Sequence, residues 1–188
     1  MKTQLFFTAV VCLLLAAGSK AQAQNKYYDK NCDVSFFSST PIEDIQAKNS
    51  SSVSVIDIGS GAMEFSSLVK AFEFPKALMQ EHFNENYMES EKFPKASFKG
   101  NIKNISDVNF KADGSYPVTV MGTLTIHGVS REVTTTGTIH VKGSSIQALS
   151  AFAVNPEDYN IDIPGVVKEK IAKEIQVKVD ANYQPYVN

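Results

Sequence analysis
The sequence has no tryptophan, only three histidines and two cysteines, and a formal charge of -2 at pH 7. Each scarcity removes a class of chemistry. Sugar sites often present indole faces, so their absence counts against a carbohydrate site. So few His and Cys leave little material for a metal centre, and none is expected. The near-neutral balance offers no electrostatic footprint for nucleic acid or an anionic surface. No G-x-S-x-G nucleophile elbow occurs. Disorder is also excluded, because 43% of the residues are hydrophobic and only 20% are charged.

The apolar run nearest the N-terminus, "LFFTAVVCLLLAAG" from Leu5 to Gly18, is shorter than the ~20 residues that span a bilayer. Lys2 precedes it, and the small-x-small triplet Ala21-Gln22-Ala23 follows. This is the pattern of a secretory signal peptide over residues 1–23, leaving residues 24–188 as one exported domain, periplasmic or secreted. Cys12 sits inside the apolar run, where it is misplaced for lipid attachment. Cys32 is then the one cysteine of the mature chain and has no intramolecular partner. With Asp29 and Asp33 around it as well as Lys30, it reads as buried and inert rather than as a reactive thiolate.

From Asp33 onward the dominant hydropathy period is two. Strands are predicted in "VSFF", "SSVSVIDI", "AMEFSSLVKAFEF", "ASFKGNI", "YPVTVMGTLTIHG", "REVTTTGTIHVKG", "SIQALSAFAV" and "AKEIQVKVDANY". Turn residues separate them, including Asp113-Gly114, Gly128 and Lys142-Gly143. Some eight short strands imply an all-β antiparallel sandwich or barrel. One segment breaks the pattern. After Pro75, which suits a first helical turn, Leu78, Met79 and Phe83 recur at helical spacing. A short amphipathic helix over one end of the sheet is expected there.

The strands have one apolar face. Val118, Val120, Leu124 and Ile126 share a phase, opposite Thr119, Thr123 and Thr125. Val133, Ile139 and Val141 oppose Thr134, Thr136 and Thr138, and Phe152, Val177 and Val179 take the apolar phase of later strands. That pattern suits a sheet curved around an apolar interior with water outside. Of the twelve Phe, ten follow the signal peptide and enlarge the interior, but an eight-stranded barrel is wide enough either to be packed solid or to hold one ligand. The sequence leaves both open.

Polar chemistry is sparse. His127, in "GTLTIHGVSREV" (Gly122 to Val133), is a catalytic group, a metal ligand or the corner of a hairpin. Ser130 and Glu132 are close in sequence, yet turn neighbours do not by that fact converge into a triad. His127 and His140 both fall on the outward phase, which makes a weak metal site. Glu157, Asp158 and Asp162 could act as paired carboxylates, but they lie in a run of turn formers that reads as a solvated connection. The structural corner is the preferred role of His127, and no catalytic residue is assigned.

Three stretches together resemble the YceI-like family of exported lipid-binding proteins. They are "GTLTIHGVSREV", "EHFNENYMESEKFPKASFKG" (Glu81 to Gly100) and "SAFAVNPEDYNIDIP" (Ser150 to Pro164), in the family's order. The resemblance runs from about Val34 to the C-terminus. It implies a lipocalin-like eight-stranded antiparallel barrel with a short helical crossover, and a tunnel holding a polyisoprenoid chain such as an isoprenoid quinone. It brings no catalytic residues and no catalytic cofactor. The first hairpin lacks the Trp and His of many members and reads as shorter, which would narrow the tunnel. Combined with strand phase, the resemblance gives the candidate lining as Phe65, Phe98, Ile102, Leu124, Ile126, Val133, Ile139, Phe152, Val177 and Val179, with Leu78, Met79 and Phe83 at the helical lid. The expected function is to hold a long apolar lipid for transport, storage or sequestration. A ligand-free stress-response or interaction module with a packed barrel is the alternative, and a hydrolase using His127 ranks third. Expected partners are the lipid, a membrane or redox-protein donor, and a second copy of the chain; nucleic acid is not expected.

Overall fold
The computed structural model describes residues 25–186. The signal peptide expected over residues 1–23 lies outside them. Eight strands, all antiparallel to their neighbours, follow one another around a closed barrel. They are β1 (Lys26–Ser39), β2 (Asp44–Asp57), β3 (Ala62–Leu68), β4 (Lys95–Ile102), β5 (Gly114–Ile126), β6 (Val129–Lys142), β7 (Ser145–Val154) and β8 (Ile175–Pro185). Closure comes from β1 pairing with β8, as in Phe36 opposite Val177. The sandwich alternative is thereby excluded. One short helix, α1 (Ala77–His82), lies in the crossover from β3 to β4 and runs on into a π turn over Phe83–Tyr87.

β1 begins at Lys26, well before the Asp33 expected from hydropathy. The reason is a bulged register: Asp29 pairs with Ser54, Cys32 with Ser52 and Val34 with Asn49, with shifts between each pair. A bulge breaks strict alternation, so the first half of the strand has no period-two signal. The first hairpin is consequently long, with 14 residues in each strand. Pro75 also differs from expectation. It precedes the N-cap Lys76 and stands outside α1.

The β5–β6 turn is as short as a hairpin allows. His127 and Gly128 both have positive φ, 51° and 73°, the backbone of a type I′ turn that matches strand twist. A Cβ at Gly128 would come within 2.5 Å of the Phe93 ring. This position needs glycine on two counts.

The two barrel ends differ. At the closed end sit the β2–β3, β4–β5 and β6–β7 connections. Ile56, Ile102, Val108, Val118, Val120, Ile139, Val141, Ile146 and Tyr183 pack there with Cys32 and Ala181. At the opposite end, here the crossover end, lie the helix, the β5–β6 turn and the β7–β8 connection. Two seams of the wall are incomplete towards that end. β2 and β3 pair only between Val53–Ile56 and Met63–Ser66. The earlier part of β2 instead bonds the crossover: Lys48 N–H donates to Glu73 O at 3.1 Å, and Glu73 N–H to Lys48 O at 2.8 Å. β6 and β7 pair only between Gly137–Lys142 and Ser145–Ser150. Buried Tyr159 and Ile161, from the chain after β7, join the apolar cluster at that seam.

Candidate functional site
The pairing confirms the phases read for β4 to β8. Phe98 pairs with Leu124, and Val177 with Phe152, so each pair shares the inner face. The depth of burial then separates the inner residues into two groups. At the closed end Ile139 is 0% exposed and Ile102 3%. At the crossover end Phe36, Phe65, Phe98, Ile126, Val133, Phe152, Val177 and Val179 are only half-buried, although they too point inward. A side chain inside a closed barrel keeps accessible surface where it borders an internal space, a mouth or an incompletely paired seam. Burial along the inner face is thus deepest at the closed end, while these apolar residues towards the crossover end keep accessible surface.

The candidate lining divides along the same line. Phe65, Phe98, Ile126, Val133, Phe152, Val177 and Val179 are half-buried towards the crossover end, and Leu124, 8% exposed, packs among them. Ile102 and Ile139 belong to the packed cluster. Of the lid residues, Phe83 reaches both apolar clusters of the crossover end. Met79 is half-buried. Leu78 is 61% exposed and joins no cluster, because consecutive helical residues point about 100° apart and Met79 takes the inward side.

Phe83 is part of an aromatic group that strand periodicity does not reveal. Its ring lies 5.4 Å from Phe36 and 5.0 Å from Phe74, and Phe72 lies 5.5 Å from Phe36. Phe72 and Phe74 alternate around Glu73, which is the signal that could have found them. They read as the tail of a strand, whereas β3 ends at Leu68 and a 3-10 turn redirects the chain.

A second unanticipated feature is a buried polar belt on β1 to β3 and β8. Asn49 and Ser52 are 0% exposed, Ser54 1% and Ser67 3%. Asn49 Nδ2 donates to Ser67 Oγ at 2.9 Å and to Leu68 O at 3.0 Å, and Ser52 Oγ donates to Ser67 Oγ at 2.9 Å. Ser54 Oγ and Tyr183 Oη share a 2.6 Å hydrogen bond. Nearby, Asp29 accepts from Asn182 N–H at 2.6 Å. Burial, with the Asp29 charge adding to it, raises the Cys32 thiol well above its ordinary range. Cys32 is thus the inert, buried thiol expected.

His127 holds a corner. Its side chain is only 10% exposed, so it departs from the outward phase, since a turn residue with positive φ leaves the strand's alternation. Nε2 lies 2.9 Å from Glu89 Oε2 and Nδ1 3.3 Å from Tyr159 O. The Phe93 ring lies 4.4 Å away, edge-on. Ser130 bonds Thr125 at 2.8 Å, and Glu132 accepts from Thr123. Neither is among the hydrogen-bond partners of the imidazole, so the triad weighed for a hydrolase is not assembled. His140 bonds Ser115 Oγ at 2.7 Å on the outer wall. Among the described residues no group of three or more His, Cys, Asp and Glu side chains converges as a metal site. Glu157, Asp158 and Asp162 are exposed, as a solvated connection should be. A depression of ≈570 Å³ on the outer wall is lined by Asp33, Lys48, Thr138 and Lys178 among others, and its charges are mixed.

The profile of the YceI-like domain matches residues 30–183. The chain belongs to that family. A sequence search of the curated proteins finds no match. Among solved structures, the fold of this YceI-like chain is similar to a polyisoprenoid binding domain from Saccharophagus degradans implicated in plant cell wall breakdown. The TM-score is 0.75 at 13% identity, over 87% of this chain and 99% of that one. BcnA of Burkholderia cenocepacia superposes with a TM-score of 0.68 at 17% identity, over 81% and 96%. The YCEI protein of Campylobacter jejuni gives 0.54 at 14% identity, over 72% and 81%. At these identities the likeness establishes the YceI-like barrel and nothing finer.

Proposed function
We propose that this YceI-like barrel is an exported binding protein for a long apolar lipid of polyisoprenoid type, which it carries, stores or sequesters. The observation that carries the proposal is the half-buried inner face of the crossover end. Phe36, Phe65, Phe98, Ile126, Phe152 and Val177 face inward and keep accessible apolar surface that a bound chain would cover. Such a surface has one favourable use. Each methylene moved onto it from water contributes ~0.8 kcal/mol, so a prenyl tail binds with few polar contacts. The polyisoprenoid binding named for the Saccharophagus relative supports the choice of ligand class. An isoprenoid quinone is one form this ligand takes, and a membrane or redox protein is the donor such a carrier needs. Binding rather than catalysis fits the polar groups, which serve turns and the buried belt.

Export is proposed from the targeting pattern of residues 1–23, and N-terminal sequencing of the mature protein should begin at Gln24. Organic extraction of protein purified from its own host, followed by mass spectrometry, tests the ligand. A stoichiometric prenyl lipid is the expected result. Protein that carries no lipid and takes up none would defeat the proposal in favour of a ligand-free module.

A further inference from the structure
The crossover end of the interior has a definable floor. Phe65 and Phe98 face each other directly across β3 and β4. Of the half-buried residues around the three apolar clusters, only these two pack on both the closed-end cluster and a crossover-end cluster. They therefore stand at the boundary between the deeply buried closed-end core and the half-buried apolar face of the crossover end.

The wall beyond Phe98 explains its position. Gly100 and Gly122 form the next inward pair, one directly opposite the other on β4 and β5. A Cβ at Gly100 would lie 2.5 Å from the Phe98 ring, and one at Gly122 2.8 Å from it. The far edge of the ring thus reaches towards the closed end, over two residues that have no side chain. Gly137, opposite Val118, is a third inward glycine. Side chains are missing from this layer of the interior, and the Phe98 ring takes their place. Beside Phe65, on β2 and β3, the buried Asn49, Ser52 and Ser67 offer no apolar surface, and their hydrogen bonds are satisfied by one another and by Leu68 O.

We propose that Phe98, with Phe65 beside it, is the specificity-determining floor of the tunnel and sets the length of apolar chain that can be buried. The proposal rests on the lipid-binding reading and adds to it. Above the floor, every methylene finds a dry contact and affinity rises about fourfold, equivalent to ~0.8 kcal/mol. Once the tail meets the ring, further carbons stay outside the mouth and the gain stops.

The test uses the mature protein, freed of endogenous lipid, and a series of linear prenyl alcohols that lengthens by one isoprene unit at a time. Binding is measured for the parent, Phe98→Ala and Phe98→Leu, with circular dichroism to confirm folding. Phe152→Ala, nearer the mouth, serves as a comparison. The parent should gain affinity with length up to a limit and then level off. Phe98→Ala should move that limit upward by about one isoprene unit, the space a lost phenyl ring opens. Phe98→Leu should show a smaller upward shift and keeps the test valid where the alanine variant fails to fold. Phe152→Ala should weaken binding at all lengths and leave the limit in place. A parent that binds with no limit, or a folded Phe98 variant with the parental limit, overturns the floor while leaving lipid binding intact. A parent that binds no member of the series overturns the lipid-binding reading, and the floor with it.

Discussion

His127 Nε2 lies 2.9 Å from Glu89 Oε2, and both residues hold positive φ, 51° and 42°. Non-glycine residues adopt that backbone at a cost, so the surrounding contacts must hold it. Asn160, at φ 55°, follows Tyr159, whose carbonyl faces the other ring nitrogen. The β5–β6 turn, the crossover and the chain after β7 are joined here. This is a tie across the lid, and its loss should loosen the crossover end without touching the tunnel wall.

His127→Ala should therefore destabilise the protein by ~1–3 kcal/mol, as expected when partly buried partners lose their hydrogen bonds. His127→Asn, which tolerates positive φ better, should recover part of the loss. Urea denaturation measures both, and lipid content should stay near the parental level. Loss of lipid at unchanged stability would place His127 against the ligand instead.

Phe152 and Ile139 point into the same barrel from neighbouring strands but at different depths. Ile139, fully buried, should behave as core, with Ile139→Ala costing roughly 2–5 kcal/mol. Phe152→Ala removes more atoms, yet in the lipid-free protein it should cost less than Ile139→Ala, because its void joins existing space. Equal or greater loss for Phe152→Ala would mean the crossover end is packed too.

Ile126→Asp puts a carboxylate on the open apolar face. In a sealed core the charge would be buried without a partner and would unfold the chain or force its protonation. Beside an open mouth water can reach it. The expected outcome is a folded barrel by circular dichroism that no longer retains a prenyl lipid. Unfolding of this variant would count against a hollow interior.

The buried groups at the closed end predict an alkaline weakness. Burial raises both the Cys32 thiol and the Tyr183 phenol above their ordinary values of 9.0 and 10.0. The native state then holds these protons more tightly than the unfolded chain does. Below pH 9 this contribution to stability is fully present, and it is lost as pH rises past the unfolded values. Midpoint urea concentrations should fall from about pH 9 upward, and Cys32→Ala should flatten part of that fall. A thiol reagent at pH 8 should label Cys32 only as fast as the barrel opens. Immediate labelling would contradict its burial.

Much of the barrel wall is legible in the amino-acid sequence. From β4 to β8 apolar and polar residues alternate with few exceptions, such as the outward Met121 and Leu149, and alternation is a local property that pairing partners cannot change. The inner phases of Leu124, Ile126, Val133, Phe152 and Val177 follow from that alone, and the His127-Gly128 turn follows from the need for two positive φ values. The first three strands behave differently. In β2 hydropathy alone would turn Val53 inward, yet Val53 is 41% exposed while Ser52 and Ser54 face the interior. Those hydroxyls are tolerated inside because Ser67 and Tyr183, distant in sequence, complete their hydrogen bonds. The aromatic group of Phe36, Phe72, Phe74 and Phe83 likewise forms only when the crossover bonds back onto Lys48. The sequence by itself determined the strands and faces from β4 to β8 and the lid helix, because these depend on residues a few positions apart. Closure through β1 and β8, the gradient of burial along the inner face, and the position of Phe98 over Gly100 and Gly122 were decided by tertiary structure, because each depends on which distant side chains the barrel brings to one level.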